Sequence, residues 1–465
     1  MTGLRPRQVQ AIADVTEAYR QGYKAPIMVA PTGFGKTHTS AEIIRRAMSK
    51  GRRIWFMAHL KEILDATAGK LDAEGIKYGF IMAGRLADRR RQVQVVSVQT
   101  AARRLDRLEK PDLIIIDEAH LAVAATYQDV IKWAGPTCWR LLLTATPVRL
   151  DGRGMGEVAD TIINTCTTGE LIDEGLLSPI KYYAPSGPDL SGVATLGGDF
   201  NQGQLAQAMD KPRITGSAVS HYAKLARNRP AVAFCVSVEH AQHVANEFQS
   251  AGFRAVAISG DSDPVVRDAA LKDLQAGRVD VVCNCQLWVA GVDAPAVSCI
   301  IQLAPTQSLV KYLQSIGRGL RTHPGKDCCI VLDHAGNSER HGSPLLEREW
   351  SLAAKAKKKG TKPSEVPVKQ CPSCFATVAS AATDCSCGHH FQPVAREIEQ
   401  VEGNLVEQDL RAVQQARRQE QGRAQTEADL VAVGRARGMK RPELWARHVI
   451  RARHAKENRV SAGGV

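Results

Sequence analysis

The stretch Ala30-Pro31-Thr32-Gly33-Phe34-Gly35-Lys36-Thr37 constrains this chain more than any other. It is entered from the apolar run Ile27-Met28-Val29 and leads into a helical pattern from Ser40 to Met48. A β-type run, a Gly-Lys-Thr loop and a helix make the strand–loop–helix context of a phosphate cradle. Glycine lets backbone N–H groups turn inward around an anion, and the helix after the loop adds the positive end of its dipole. Thr32, Gly33 and Gly35 would line the cradle, Lys36 would reach the β/γ-phosphates, and the Thr37 hydroxyl would sit on Mg2+. The general pattern asks for Gly where Ala30 stands, so the loop alone leaves the reading open.

The chain beyond residue 48 narrows it. Apolar strand-like runs recur at Ile54–Ala58, Val93–Val98, Leu113–Ile116 and Leu141–Leu143, with helical or polar segments between them. Strands alternating with helices predict a doubly wound, mostly parallel α/β sheet, whose ligands sit at the carboxyl ends of the strands. Asp117-Glu118-Ala119-His120 ends one such strand and Thr144-Ala145-Thr146-Pro147 another. There Asp117 can hold the Mg2+ water shell while Glu118 orients and deprotonates an attacking water. Two adjacent acids beside a triphosphate repel it unless a metal intervenes, so Mg2+ is implied. Near the N-terminus, Val9, Ile12, Ala13 and Val15 predict a helix that carries Gln8, whose amide can pair with the adenine edge of ATP.

A second alternating pattern has strand candidates at Ala231–Val236, Ala255–Ile258, Val279–Val282, Ser298–Leu303 and Cys328–Leu332. It lacks a Gly-Lys-Thr loop but carries Gly291-Val292-Asp293-Ala294-Pro295 and Gln314-Ser315-Ile316-Gly317-Arg318-Gly319-Leu320-Arg321. Arg318 and Arg321, three apart on one predicted helical face, suit a phosphate in a facing cleft. The expected layout is a first lobe at 1–165, a connection at 166–215 and a second lobe at 216–345. A charged linker at 346–370, a metal-binding module at 371–391 and a helical basic tail at 392–465 complete it.

The module rests on Cys371-Pro372-Ser373-Cys374 and Cys385-Ser386-Cys387-Gly388-His389-His390. Two cysteine pairs about ten residues apart can wrap a tetrahedral Zn2+. The second pair is one residue short of the usual spacing, so His389 or His390 could replace a cysteine; the rival reading is a redox-active or vestigial thiol cluster. The other eight of the 12 cysteines, among them Cys235, Cys283 and Cys299, are expected as buried thiols of a reducing, cytoplasmic compartment.

Net charge is +13, and residues 351–465 supply +8 of it (20 Lys+Arg against 12 Asp+Glu). That excess favours a polyanionic partner, nucleic acid above all, with the tail free to engage proteins as well. No run approaches the roughly 20 apolar residues of a membrane span, and the first residues lack the apolar core of a signal peptide.

Taken together the motifs are ordered and spaced as in a superfamily 2 helicase of the DEAD/DEAH-box type, which this chain resembles over residues 1–345. Within that group it is most similar to RadD-like bacterial and phage helicases, relatives of the helicase subunits of type III restriction enzymes. Leu143–Gly152, Gly169-Glu170-Leu171-Ile172 and Leu332-Asp333-His334-Ala335-Gly336-Asn337 carry that likeness. In this family Ala at the first loop position is ordinary. The resemblance implies two RecA-like lobes in tandem, a zinc-ribbon-like module after them, and ATP bound in the cleft between the lobes. It implies adenine contacts from Gln8 and Arg5, and coupling of hydrolysis to the strand through His120, Thr144 and Thr146. Asp293 and Gln314 would act from the second lobe, Gln314 with the catalytic arginines Arg318 and Arg321. His59, Ser97, Gln99 and Thr100 would touch nucleic acid. DNA is favoured over RNA through the resemblance alone, with repair, recombination or replication as the setting. A translocase that remodels duplexes without separating strands, an RNA helicase and a non-catalytic ATP-gated clamp are the alternatives.

Overall fold

The computed structural model describes residues 3–148, 154–184, 188, 190–196, 198–210, 212–285, 287–288 and 294–353, with short stretches between 368 and 450. It divides into a unit ending at Lys357 and a second beginning at Lys358.

The larger unit holds two parallel sheets. The strands of the first are β1 (Pro26–Val29), β2 (Ile54–Ala58), β3 (Tyr78–Ile81), β4 (Val93–Ser97), β5 (Leu113–Ile116), β6 (Trp139–Thr144) and β7 (Thr161–Asn164), interleaved with helices α1 (Pro6–Arg20), α2 (Lys36–Met48), α3 (Lys61–Ala73), α4 (Val98–Ala102) and α5 (Ala125–Ala134). Their order is β3-β4-β2-β5-β6-β1-β7. Every residue of β1, β2 and β5 is buried, as befits strands covered by helices on both faces. Register sets the functional edge. Met57 pairs with Ile116, Ala58 with Ser97, and Val29 with Thr144. The phosphate loop, His59, Asp117 and Thr144 therefore leave the sheet at one end, the carboxyl end. On α1 the buried face is Gln8, Ala11, Ile12, Val15 and Ala18, while Val9 is 49% exposed.

The second lobe follows with α6 (Thr168–Asp173), β8 (Ile180–Tyr183), β9 (Thr195–Leu196), β10 (Asp199–Phe200), α7 (Gln202–Met209), α8 (Pro212–Leu225), β11 (Ala231–Cys235), α9 (Val238–Ser250), β12 (Ala255–Ile258), α10 (Pro264–Gln275), β13 (Val281–Cys285), β14 (Cys299–Gln302), α11 (Leu309–Arg318), β15 (Cys329–Asp333) and α12 (Asn337–His341). Its sheet runs β12-β13-β11-β14-β15-β8, again parallel. Two parallel-sheet α/β lobes in tandem are the RecA-like arrangement.

The segment 166–215, expected as a connection, does more than connect. β8 completes the second sheet beside β15, and the β9–β10 hairpin with α7 packs Phe200, Leu205 and Met209 against Val236. Asp199 fastens that hairpin, accepting bonds from Thr306 Oγ1 (2.9 Å), Gln307 N (2.7 Å) and Lys311 Nζ (3.0 Å). Helix α6 ends at Asp173. Gly175, at φ 69°, turns the chain out of the helix, and Leu176 N reaches back to Leu171 O.

The Asp333–Asn337 stretch builds a turn. Asp333 accepts from Tyr182 Oη and from Ser338 N, each at 2.8 Å, while Asn337 Nδ2 donates to Gln302 Oε1 at 2.6 Å. The described cysteines are all free thiols, with Cys235, Cys283 and Cys299 buried on strands.

In the second unit Val368–Gln370 pairs antiparallel with Thr377–Ala379, and a helix at Glu427–Ala436 buries Leu430 against Ala424 and Ala446. Arg447 pairs with Glu427 there, at 3.0 Å. Cys371, Cys374, Cys385, Cys387 and His389 lie outside the described residues, and His390 Nδ1 lies 2.7 Å from Asp384 Oδ1. Among the described residues no helix is long and apolar enough to cross a membrane.

Candidate functional site

The loop between β1 and α2 owes its shape to two glycines in the left-handed region, Gly33 at φ 87° and Gly35 at φ 93°. Neither position has room for a side chain. A Cβ at 33 would meet Leu177 Cδ2 at 2.4 Å, and one at 35 would meet Gln8 Nε2 at the same distance. Gln8 is buried and ties α1 to the loop, its Nε2 donating to Phe34 O (3.0 Å) and its Oε1 accepting from Arg5 N (2.9 Å). Arg5 Nη1 reaches Gly33 O at 3.4 Å. Thus Arg5 and Gln8 sit against the loop itself. Lys36 Nζ folds back to Ala30 O at 3.0 Å, and Ala30 N is held by Thr144 O at 2.9 Å.

At the end of β5, Asp117 Oδ1 accepts from Glu118 N at 2.9 Å. Burial, then the repulsion of Glu118, pushes the Asp117 carboxyl up to about 6, against the pull of Lys36, the Glu118 N–H and His120. Glu118 has φ 49°, a left-handed conformation unusual for a residue with a side chain, and it throws the chain into the turn that carries His120. His120 Nδ1 lies 3.5 Å from Glu118 Oε2, beyond hydrogen-bond range, and burial lowers its imidazole to about 4, so it is neutral near pH 7.

Four buried polar atoms, His59 Nδ1, His120 Nδ1, Tyr127 Oη and Thr146 Oγ1, have no hydrogen-bond partner among the described residues. They belong to the strand-end loops and the helix that border the acid pair. Tyr127, which no motif spacing singled out, is buried, and both Asp117 and Glu118 hold its phenol in the protonated form after burial itself. Thr144 Oγ1 bridges Thr146, donating to its carbonyl and accepting from its N–H, both at 3.1 Å. A little further along the same edge, Ser97 Oγ caps α4 and donates to Gln99 Oε1 (3.0 Å), and Gln99 Nε2 reaches His59 O (3.3 Å). His59, Ser97, Gln99 and Thr100 are thereby gathered at one place.

The second lobe closes on this edge through α11. Its residues Gln314 to Arg318 are all buried, Gly317 among them. A Cβ on Gly317 would come 2.9 Å from Thr32 Oγ1. The bare backbone at 317 is what lets α11 come this close to the Thr32 side chain. Arg321 does not share the helical face of Arg318, because α11 ends there with Gly319 as its C-cap. Instead Arg321 bridges to Leu177, and Ser178 N donates to Leu320 O at 2.7 Å. Lys326 steadies the same turn, donating to Val297 O (2.5 Å), Gly319 O (2.7 Å) and Arg321 O (2.7 Å). Asp293 lies outside the described residues.

The donor set fits ATP with Mg2+. A glycine cradle with Lys36, the Thr37 hydroxyl and the half-buried Asp117 carboxylate are hard-oxygen and cationic groups of the kind that a phosphate-bound Mg2+ takes.

Residues 1–149 match the family model described as type III restriction enzyme, res subunit, and residues 214–323 match the helicase conserved C-terminal domain. A 51.5 kDa protein of Lactococcus phage (isolate 7-9) is 34% identical over 365 residues, covering 78% of this chain and 77% of its own length. The chain belongs to the superfamily 2 helicases related to restriction-enzyme subunits. This helicase is also 30% identical over 362 residues to a Saccharomyces cerevisiae protein named as an ATP-dependent helicase, IRC3. That match covers 72% of the helicase but only 52% of the yeast protein. In fold it matches a fragment of an HsdR subunit of a type I restriction enzyme from Vibrio vulnificus YJ016, with TM-score 0.60 and 21% identity, over 73% of this chain and 66% of that one. The helicase is accordingly an ATP-hydrolysing enzyme that acts on nucleic acid, with ATP and Mg2+ as its cofactors.

Proposed function

We propose that this helicase moves on DNA, with Lys36, Thr37 and Asp117 holding the nucleotide phosphates and the metal and with Glu118 as general base. The contact of Gly317 with Thr32 carries the reading, since it sets Arg318 and the Arg321 turn beside the loop that would hold the phosphates. Mg2+ bound there supplies neutralisation of phosphate charge. Glu118, aimed by its left-handed backbone, takes the proton of the attacking water. Arg318 and Arg321 stabilise charge developing on the transferred group, an effect worth on the order of 10³–10⁵ in rate. Gln8 and Arg5 read adenine from their place against the loop, and Gln314 and Asp293 complete the second-lobe side. Neutral His120, with Thr144 and Thr146, passes the state of the acid pair to the edge where His59, Ser97, Gln99 and Thr100 meet the strand.

Support for DNA comes from relatives: the similarity extends to restriction-enzyme subunits, and the type ISP enzyme LlaBIII, of related fold (TM-score 0.54), has been solved bound to DNA. The deciding comparison is ATP hydrolysis with single-stranded DNA, duplex DNA, forked DNA and RNA side by side. Stimulation by RNA alone, or by none of them, would overturn the reading. Strand displacement measured against triplex displacement then separates unwinding from translocation on intact duplex.

We also propose that Cys371, Cys374, Cys385 and Cys387 bind one Zn2+, on the strength of their spacing, with the basic tail beyond them adding phosphate contacts or a protein-docking segment.

A further inference from the structure

We infer that a basic surface on the first lobe, built by the β3–β4 loop and the turn after α4, grips duplex DNA outside the single-strand track. The inference rests on the proposal that the helicase moves on DNA. Between residues 84 and 107 the chain carries seven arginines against two aspartates. Six of them fall in two segments that the fold brings into contact: Arg89, Arg90 and Arg91 in the loop, and Arg103, Arg104 and Arg107 just past α4. Arg89 Nη1 donates to Arg107 O at 3.2 Å and locks one segment to the other.

The loop is built to hold that shape. β3 and β4 are parallel neighbours, so the chain must run back along the sheet edge between them without a helix. Gln94 Nε2 pins it there, donating to Asp88 O (2.8 Å) and Arg91 O (2.9 Å), and Asp88 O lies so near Gly79 that a Cβ there would come within 2.1 Å. These six arginines thus stand on a fixed backbone, all of them exposed. Among the described residues only two ion pairs offset them, Arg91 with Asp88 (2.9 Å) and Arg107 with Asp106 (3.3 Å). Exposed pairs of that kind are held by little energy, so their guanidiniums can exchange a carboxylate for a phosphate. The guanidiniums of Arg90, Arg103 and Arg104 have no acidic partner among the described residues, Arg90 meeting Asp88 only through its backbone N–H.

Two observations point to a duplex. First, residues 82–110 contain no aromatic side chain and no histidine. Single-strand sites pair a basic groove with aromatic platforms on which unpaired bases stack, and neither arginine segment carries one; Phe80, at the foot of the loop, is covered by Arg85. Phosphates are what these guanidiniums can bind, and a duplex presents phosphates with its bases already stacked inside. Second, the surface begins one residue beyond α4, beside Ser97, Gln99 and Thr100. A duplex held there would lie next to the point where a strand enters the first lobe.

The test is equilibrium binding of the full chain to a blunt duplex and to a single strand of equal length, titrated with salt. The variant replaces Arg89, Arg90 and Arg104 with Glu; a second variant replaces the same three with Lys. On duplex the Glu variant should lose at least tenfold in affinity, and its log K against log salt slope should shrink by roughly two to three, since each phosphate contact contributes about 0.9. Single-strand affinity should stay within about twofold, and the Lys variant should bind duplex like the unaltered protein. Equal losses on both substrates, no loss on either, or a Lys variant as weak as the Glu variant would each overturn the inference. If the unaltered protein shows no DNA-stimulated ATP hydrolysis while these slopes still differ, the DNA-motor reading fails and the duplex surface stands.

Discussion

Replacing Asp117 with Asn should make the metal-free protein more stable while abolishing its ATPase. In the folded chain the carboxyl takes up its proton near 6, against an ordinary 3.8, because burial and Glu118 both disfavour its charge. Holding the proton up to about 6 rather than 3.8 costs the folded state about 2–3 kcal/mol once Asp117 is ionised. Proton counting sets the sign. A raised pKa means that the folded state binds more protons than the unfolded one between 3.8 and about 6. The stabilisation is therefore fully present below about pH 4 and lost as pH rises through about 6. Asn is nearly isosteric, cannot ionise, and its Oδ1 can still accept from Glu118 N. Thermal unfolding in EDTA at about pH 5 and about pH 7.5 reads the effect: the variant's first transition should lie a few degrees above the wild type's at the higher pH, with the gap narrowing at the lower. In the wild type, Mg2+ must displace the Asp117 proton, so the Mg2+ needed for half-maximal ATPase should rise about tenfold per unit of pH below 6. A variant less stable than wild type at the higher pH without metal, or a Mg2+ requirement flat down to about pH 5, would refute the reasoning.

Glu118→Gln should leave nucleotide affinity near wild type and cut the hydrolysis rate by roughly 10²–10⁴, read by comparing single-turnover rate with nucleotide Kd; unchanged turnover would remove Glu118 from the general-base role. Gly317→Ala forces a methyl to within 2.9 Å of Thr32 Oγ1 and should lower DNA-stimulated ATPase more than tenfold with little change in the melting transition; a wild-type rate would show that the close approach is dispensable. Lys326→Met leaves the carbonyls of Val297, Gly319 and Arg321 short of a donor, a loss of about 1–3 kcal/mol, and should depress kcat alongside stability, whereas Lys326→Arg should retain much of both. Bound zinc, measured by mass spectrometry on the intact chain, should vanish with Cys371→Ser or Cys374→Ser, and unchanged metal content would refute that site.

The parts legible in the sequence were those written in local pattern. A loop with two glycines and a lysine after an apolar run, or Asp-Glu after Leu113-Ile114-Ile115-Ile116, can be placed at a strand end without knowing any partner strand. The parts that stayed hidden depend on distant pairing. The short strands β7 and β8 carry mixed residues and gain their place only from β1 and β15, more than 100 residues away in sequence. Tyr127 looked like any helix residue until the fold turned it toward the acids. Arg321 was expected on the helix because its spacing from Arg318 is helical. The helix ends at Gly319 instead, and a side chain there would strike Cys329 Sγ at 2.4 Å. Periodicity shows which residues could share a face, but it does not show where packing stops the helix.

The meeting of Gly317 with Thr32 also says something about how such a machine can move. The second-lobe side of that contact is bare backbone, so α11 has no side chain of its own to swing aside there and only the Thr32 side chain can give. Separation of the lobes must then be a whole displacement of α11 with its sheet, carrying Arg318 and the Leu177-bound turn of Arg321 away together. Chemistry and travel would then share one contact.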